Sequence, residues 1–282
     1  METDLAEVYP RRVVLVSPPR TGSTAVARLL WQHPLITHHC HEPFEACYWG
    51  AQGPESVAAI LNNPMRVAVG DRVRLTEVPP GSGLLIKEMS FQLSTGQFDE
   101  LAGLATAPPI FVMSDPRLST TSRLRIVREL TQASTFPPFE SGWPSLAAQV
   151  ARCRERDLPY VLIDSEDLRA DPAGMAAALV AALGLPSRAG LEEWSPRPGL
   201  QLVAPEVGAL MGSSRRTDDP FYRKVLSSTG VQPRARVDWD REEAMIAAAG
   251  LSDEVEAWRD IHRALRADPH RLGVPAHATT EP

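Results

Sequence analysis

The chain has 282 residues, 43% of them hydrophobic and 23% charged, with a formal net charge of −6. That balance is ordinary for a soluble globular protein with a sizeable core, organised as one large α/β domain or two small ones. The acidic excess argues against general nucleic-acid or anionic-membrane binding, so any phosphate site must be local. Residues 1–11 read as a loose lead-in. Val13, Val14, Leu15 and Val16 then form a continuous apolar run that suits a strand buried on both faces. Ser17, Pro18, Pro19, Arg20, Thr21, Gly22, Ser23 and Thr24 follow, and Val26, Leu29 and Leu30 come at helical spacing. The form is strand, tight loop, helix. Unsatisfied N–H groups and the positive end of the helix dipole meet at such a junction and hold an anion without a large basic patch. Gly22 lets the backbone come close, Ser23 and Thr24 add hydroxyl donors, and Arg20 supplies a charged fork. The loop is not a Walker A motif: Ser17 stands where that motif has its first Gly, and Ser23 where it has its Lys.

His38, His39, Cys40 and His41 invite a metal reading. Adjacent ligands cannot all face one ion, His41-Glu42 lacks the second His of a zinc-protease helix, and Pro43 breaks such a helix. The stretch reads instead as a polar loop on the ligand side of the sheet, and no metal is expected. Phe44, Tyr48 and Trp49 are candidates to line a substrate pocket or simply to pack. Residues 50–83 carry a weak pattern, with a short helix at 56–61 and a turn at 79–83. Residues 84–87 and 110–113 are the next buried-strand candidates. The second of these runs into Ser114, Asp115, Pro116, Arg117 and, further on, Ser122 in an arginine-rich helix. Residues 143–155 carry Leu146, Val150 and Cys153 on one helical face. A fourth strand at 160–163 leads to Asp164, which has the form of a Walker B magnesium ligand but is favoured as a structural carboxylate. Asp171 as N-cap, Pro172, Gly184 and Pro186 bracket the next helix. Asp240 with Glu243 reads as a capping-box-like start, and Ser252 as the cap of a last helix carrying Val255, Trp258, His262 and Leu265. The tail after Leu272 reads as disordered.

No repeat or linker divides the chain, so the expectation is a single domain over 1–282, flexible at 1–11 and 273–282. Alternating β and α elements imply a three-layer α/β sandwich. Its central sheet is mostly parallel, with ligands at the carboxyl ends of the strands. Cys40, Cys47 and Cys153 make no disulfide framework in a chain this long, no signal peptide opens it, and no apolar run approaches a membrane span. A cytoplasmic protein with no nucleic-acid or membrane partner is expected.

Pro19, Arg20, Thr21, Gly22, Ser23 and Thr24 resemble the 5′-phosphosulfate loop of PAPS-dependent sulfotransferases. In that family a proline, a Lys or Arg, and a Ser/Thr-Gly-Ser/Thr-Thr run follow the first strand. Leu29-Leu30, His33-Pro34 and Glu42-Pro43-Phe44 are similar to the series that follows in its bacterial and carbohydrate branches. Asp115, Pro116, Arg117 and Ser122 resemble the family's 3′-phosphate motif, except that Ser114 stands where its first Arg belongs. A serine cannot replace a bidentate cationic contact, commonly worth ~1.5–3 kcal/mol. Either another arginine reaches in, with Arg117, Arg123, Arg215 and Arg216 as candidates, or cofactor binding is weakened or changed. Ser228-Thr229-Gly230 resembles a late segment of bacterial members, near which Arg215, Arg216, Arg223 and Lys224 are placed to close over that phosphate.

The resemblance implies a P-loop-like fold and a transferase moving a sulfuryl group from PAPS to a hydroxyl or amine of a small-molecule acceptor, with 3′,5′-ADP leaving and no metal required. The setting implied is specialised biosynthesis, with the sulfate ester as product or as leaving group for cyclisation. Nucleotide contacts would fall at Arg20, Thr21, Gly22, Ser23, Thr24, Ser114, Arg117 and Ser122. Arg20 would also stabilise charge on the bridging oxygen. Cytosolic members place a catalytic His shortly after a Lys; here Glu88 and Met89 follow Lys87. Some carbohydrate-directed relatives use a Glu after the first helix, which matches Glu42, with His41 in reserve and Glu88 third. Two other readings stay open: a nucleotide-dependent phosphotransferase using Arg20 and Asp164, and a non-catalytic member of the fold that binds a ligand or partner. A homodimer or a partner subunit fits any of them.

Overall fold

The structure, a computed structural model, describes residues 5–50, 54–204 and 220–273. Its six strands are β1 (Arg11–Ser17), β2 (His38–His41), β3 (Met65–Arg66), β4 (Gly83–Met89), β5 (Ile110–Met113) and β6 (Val161–Asp164). They form one sheet in the order β3-β2-β4-β1-β5-β6, parallel except where β3 meets β2. The helices are α1 (Leu5–Val8), α2 (Ser23–Trp31), α3 (Glu45–Gly50), α4 (Pro54–Leu61), α5 (Thr95–Leu104), α6 (Pro116–Thr131), α7 (Trp143–Glu155), α8 (Ser165–Ala170), α9 (Pro172–Ala182), α10 (Arg223–Leu226), α11 (Trp239–Ala248) and α12 (Ser252–Arg266).

Parallel strands need crossovers, and helices therefore cover both faces. Successive residues of β1 point to opposite sides, so the apolar run feeds two cores at once. Val13 and Leu15 pack with Val26, Leu29 and Leu30 of α2 and Met175 and Leu179 of α9. Val14 and Val16 pack with Phe98 and Leu101 of α5, Leu146 and Val150 of α7, and Trp258 of α12. The expected α/β sandwich is the architecture observed. No helix among the described residues is long and apolar enough to cross a membrane.

Several local expectations are corrected. From residue 5 the lead-in has regular structure: α1 is helical, Val8 and Tyr9 are buried, and β1 starts at Arg11. The polar stretch 38–41 is a fully buried strand, not a loop. Its backbone is satisfied by pairing with β4, His38 opposite Leu84 and His41 opposite Lys87. Its rings bury as aromatics, Tyr9 against His38 at 5.4 Å and Trp31 against His39 at 4.9 Å. Burial, aided by Arg66, brings the His38 imidazole down to about 4, so it packs as a neutral ring. Asp238, not Asp240, caps α11 by accepting from the Arg241 amide, and α12 starts at Ser252 after Leu251 without a side-chain cap.

Asp164 is taken up structurally. It is fully buried, accepts the Glu166 amide at 2.9 Å, and lies 3.0 Å from His262 Nε2 and 3.2 Å from Arg266 Nη1. Beside it, on the outer side of β6, Leu162 N donates to the His270 carbonyl and Leu272 N to the Leu162 carbonyl, a bridge through Arg271. The tail from residue 274 lies outside the described residues.

Candidate functional site

The turn after β1 is closed by Thr21 Oγ1, which donates to the Pro18 carbonyl at 2.9 Å. Two residues in it take left-handed backbone conformations, Arg20 at φ 65° and Gly22 at φ 91°. Glycine accepts this at little cost, whereas an arginine is held there by what surrounds it. Arg20 Nε donates to Ser122 Oγ at 3.1 Å and its Nη1 donates to the Phe221 carbonyl, which fixes the guanidinium between α6 and the approach to α10. Gly22 is also the N-cap of α2, where no side chain caps the helix and its first turn contains no acid. A helix start of this kind leaves amide donors for an outside acceptor.

Those donors open into a cavity of about 500 Å³ lined by Gly22, Ser23 and Thr24 together with Arg20, Ser114 and Ser122. More of the lining comes from α6, α8, α10, α11 and the extended segment 230–238, and it is rich in cations: Arg125, Arg169, Arg234, Arg236, Arg241 and Lys224. Part of that charge is already matched, Arg234 by both carboxylate oxygens of Glu166 and Arg125 by Glu242.

At the other end of the cavity stands Glu42, 3% exposed and at φ 50° directly after β2. Three groups converge on its Oε1: the Lys87 ammonium donates to it, Tyr222 Oη donates at 3.0 Å, and His41 Nε2 lies 3.2 Å away. Burial alone would push the Glu42 carboxyl up. Lys87 and then His41 more than reverse this and hold the carboxyl well below the usual carboxylate range. His41 is lowered first by burial, against the pull of Glu42; it packs edge-on against Tyr222 at 4.9 Å and reaches His39 Nε2 through Nδ1 at 3.1 Å. Glu88 behaves in the opposite way. Burial first and the Glu42 charge second push its carboxyl up to about 8, although the Phe44 and Met89 amides donate to it at 2.8 and 2.7 Å. Neighbouring carboxyls with proton affinities driven apart mark sites where protons are handled.

Of the residues expected from the sequence, Arg20, Gly22, Ser23, Thr24, Glu42, Ser114 and Ser122 line this one cavity. Thr21 is spent on the turn, and His41 and Lys87 lie behind Glu42 rather than on the wall. Arg117 does not line it: Asp115 at 2.8 Å and Glu243 at 3.2 Å hold the guanidinium over the Trp239 ring at 3.8 Å. Arg123 lines the cavity but is paired with Glu140 and packed on Phe91 and Phe136. Arg215 and Arg216 lie outside the described residues. Tyr48 packs on Phe91 and Phe139, and Phe44 belongs to the core. Sequence reasoning missed Arg125, Arg169, Arg234, Arg236 and Arg241. The only trace of them is the Arg234-Ala235-Arg236 alternation, which places two arginines on one side of an extended segment. Among the described residues no cluster of His, Cys, Asp and Glu has the grouping to hold a metal ion.

A mostly parallel sheet whose first strand leads into an uncapped helix start beside an arginine-lined cavity makes this an α/β fold with donors left for an outside acceptor. No family model matches the sequence and no curated protein matches it. Among solved structures, the chain is similar to the sulfotransferase domain of the Synechococcus PCC 7002 olefin synthase (17% identity, 85% of this chain and 95% of that one, TM-score 0.44). It is also similar to the sulfotransferase domain of the curacin biosynthetic pathway (14% identity, 84% and 96%, TM-score 0.45). A third is mouse sulfotransferase SULT7A1 complexed with PAP (10% identity, 90% and 89%, TM-score 0.43).

Proposed function

We propose that the protein is a sulfotransferase that moves a sulfuryl group from PAPS to a hydroxyl or amine of a small-molecule acceptor. One observation carries this reading: a single cavity joins the uncapped start of α2 and Arg20 to the buried, ionised Glu42. The donor set fits a nucleotide with two anionic ends. Arg20 and the amides and hydroxyls at Gly22, Ser23 and Thr24 suit the phosphosulfate end. Ser122 with Arg125, Arg234, Arg236 and Arg241 suits the second phosphate and offsets the arginine absent at Ser114.

PAPS supplies an activated sulfuryl group whose transfer releases 3′,5′-ADP. Arg20 and the α2 amides are fixed before reaction and stabilise negative charge growing on the departing oxygen. Glu42 receives the acceptor's proton. Because Lys87 and His41 depress its proton affinity, Glu42 takes that proton late, after the acceptor oxygen or nitrogen has bonded to sulfur and become acidic. A lone pair of the acceptor oxygen or nitrogen forms the new bond to sulfur as the bond from sulfur to the phosphate oxygen breaks and its pair leaves with 3′,5′-ADP; when Glu42 then takes the proton, the O–H or N–H pair stays on the acceptor. The test is calorimetric titration and thermal melting with 3′,5′-ADP beside ATP-magnesium. We expect 3′,5′-ADP to raise the melting temperature, Arg20→Ala to abolish the rise, and ATP-magnesium to give none. The absence of a shift at millimolar 3′,5′-ADP would overturn the reading.

A further inference from the structure

Ser165 has no explanation in the fold. It follows the cap residue of α8, so its hydroxyl is not needed to start that helix, a task performed by Asp164. It is 2% exposed, and its Oγ has no hydrogen-bond partner among the described residues. A buried hydroxyl in that state loses its water without compensation, and such groups call for a reason. Ser165 also lines the cavity, on the side where the backbone at Gly22 comes closest. A Cβ built on Gly22 would lie 3.4 Å from Ser165 Cβ and 3.8 Å from both Ser165 Oγ and Arg169 Nη2. The glycine therefore keeps open a gap bounded by the start of α2, by a hydroxyl lacking an acceptor, and by a guanidinium. Arg169, one turn further along α8, is anchored by Nη1 donating to the Gln232 carbonyl at 2.6 Å, while Nε is buried without a hydrogen-bond partner. Its nearest carboxylate contact, Glu166, is at 3.9 Å, beyond hydrogen-bond range.

We propose that Ser165 and Arg169 form a second wall of the anion cradle and donate to phosphate oxygens seated at the start of α2. The ligand this arrangement takes is a phosphate ester or anhydride: the unused donors on the wall have no acceptor within hydrogen-bond distance, which suits an oxyanion and not a cation or an apolar group. The proposal rests on the nucleotide reading above only for the name of the ligand, since the gap itself needs no adenosine.

Binding of 3′,5′-ADP and of inorganic pyrophosphate is to be measured by calorimetry on the wild type, Ser165→Ala and Arg169→Gln, with melting temperatures of the unliganded proteins alongside. Ser165→Ala removes a buried hydroxyl that bonds to nothing. The unliganded protein should melt at the same temperature or higher, while affinity for either anion falls about 5- to 10-fold. Arg169→Gln should weaken both about 10- to 100-fold. An unchanged affinity in Ser165→Ala, with or without a lowered melting temperature, would overturn the proposal and leave the sulfotransferase reading standing. Pyrophosphate binding that depends on Ser165 in a protein blind to 3′,5′-ADP would support the second wall and sink the sulfotransferase reading. A wild type that binds neither anion removes both.

Discussion

The two ends of the cavity use the same interaction, an ion pair between a base and a glutamate, in opposite surroundings. Lys87 and Glu42 have side-chain exposures of 0% and 3%. Arg234 and Glu166 have 28% and 31%, and Arg125 and Glu242 have 43% and 10%. A partly exposed pair such as Arg234–Glu166 is worth only ~0–1 kcal/mol, so an arriving phosphate can replace the carboxylate on that arginine at little cost. A buried pair is different: losing one partner strands a charge in a poor solvent, at ~3–5 kcal/mol. The arginine wall can therefore exchange partners, whereas the Glu42 end is set once, during folding. A transfer enzyme needs both, an adaptable grip on the donor and an immobile group at the reacting atom.

The sharpest way to break this comparison is Lys87→Met, which should cost about 3–5 kcal/mol in urea unfolding, with part recovered by adding Glu42→Gln. A loss below about 1 kcal/mol, no larger than an exposed pair gives, would end the contrast. An effect of comparable size comes from Glu88. Its folded value of about 8 lies above the ordinary 4.5, so its contribution is complete below pH 4.5 and is lost as pH rises toward 8. That decline should be on the order of 5 kcal/mol given ~1.36 kcal/mol per pH unit, and Glu88→Gln should flatten the stability curve between pH 5 and 8. An unaltered slope in the variant would place the charge elsewhere. Tyr222→Phe is the mildest probe, expected to cost about 1 kcal/mol of stability. Losing a donor to the ionised carboxylate also raises the Glu42 proton affinity, so the acidic limb of the rate profile should move to higher pH. A limb that stays in place would separate Glu42 from the observed titration.

What could be read in advance followed from local rules. β1, β4, β5 and β6 are short apolar runs, and Asp171 caps α9 as its spacing with Pro172 requires, by accepting the Gly174 amide. The loop at 19–24 was legible because glycine, hydroxyls and a helix start lie together in sequence. The strand at 38–41 was not, because hydropathy counts histidine as polar, while here Tyr9, Trp31 and Tyr222 give three of those rings aromatic company. The arginine wall was equally hidden: Arg125 and Arg234 are far apart in sequence and come to one cavity only through the fold of α6 and the segment before α11. Glu88 shows the same limit. Its neighbour Lys87 faces Glu42, while Glu88 itself turns to the Phe44 and Met89 amides, and no spacing tells which of two adjacent residues will do which.

The bridge that Arg271 makes alongside Leu162, and the two-residue β3 at the far side, mean that the sheet stops on each flank at something too short to be copied. A second molecule seeking to continue the ladder finds a stub on one flank and, on the other, Leu162 already engaged through both its N–H and its carbonyl. The protein can thus keep a buried, mostly parallel sheet at its centre without offering that sheet as a template for stacking.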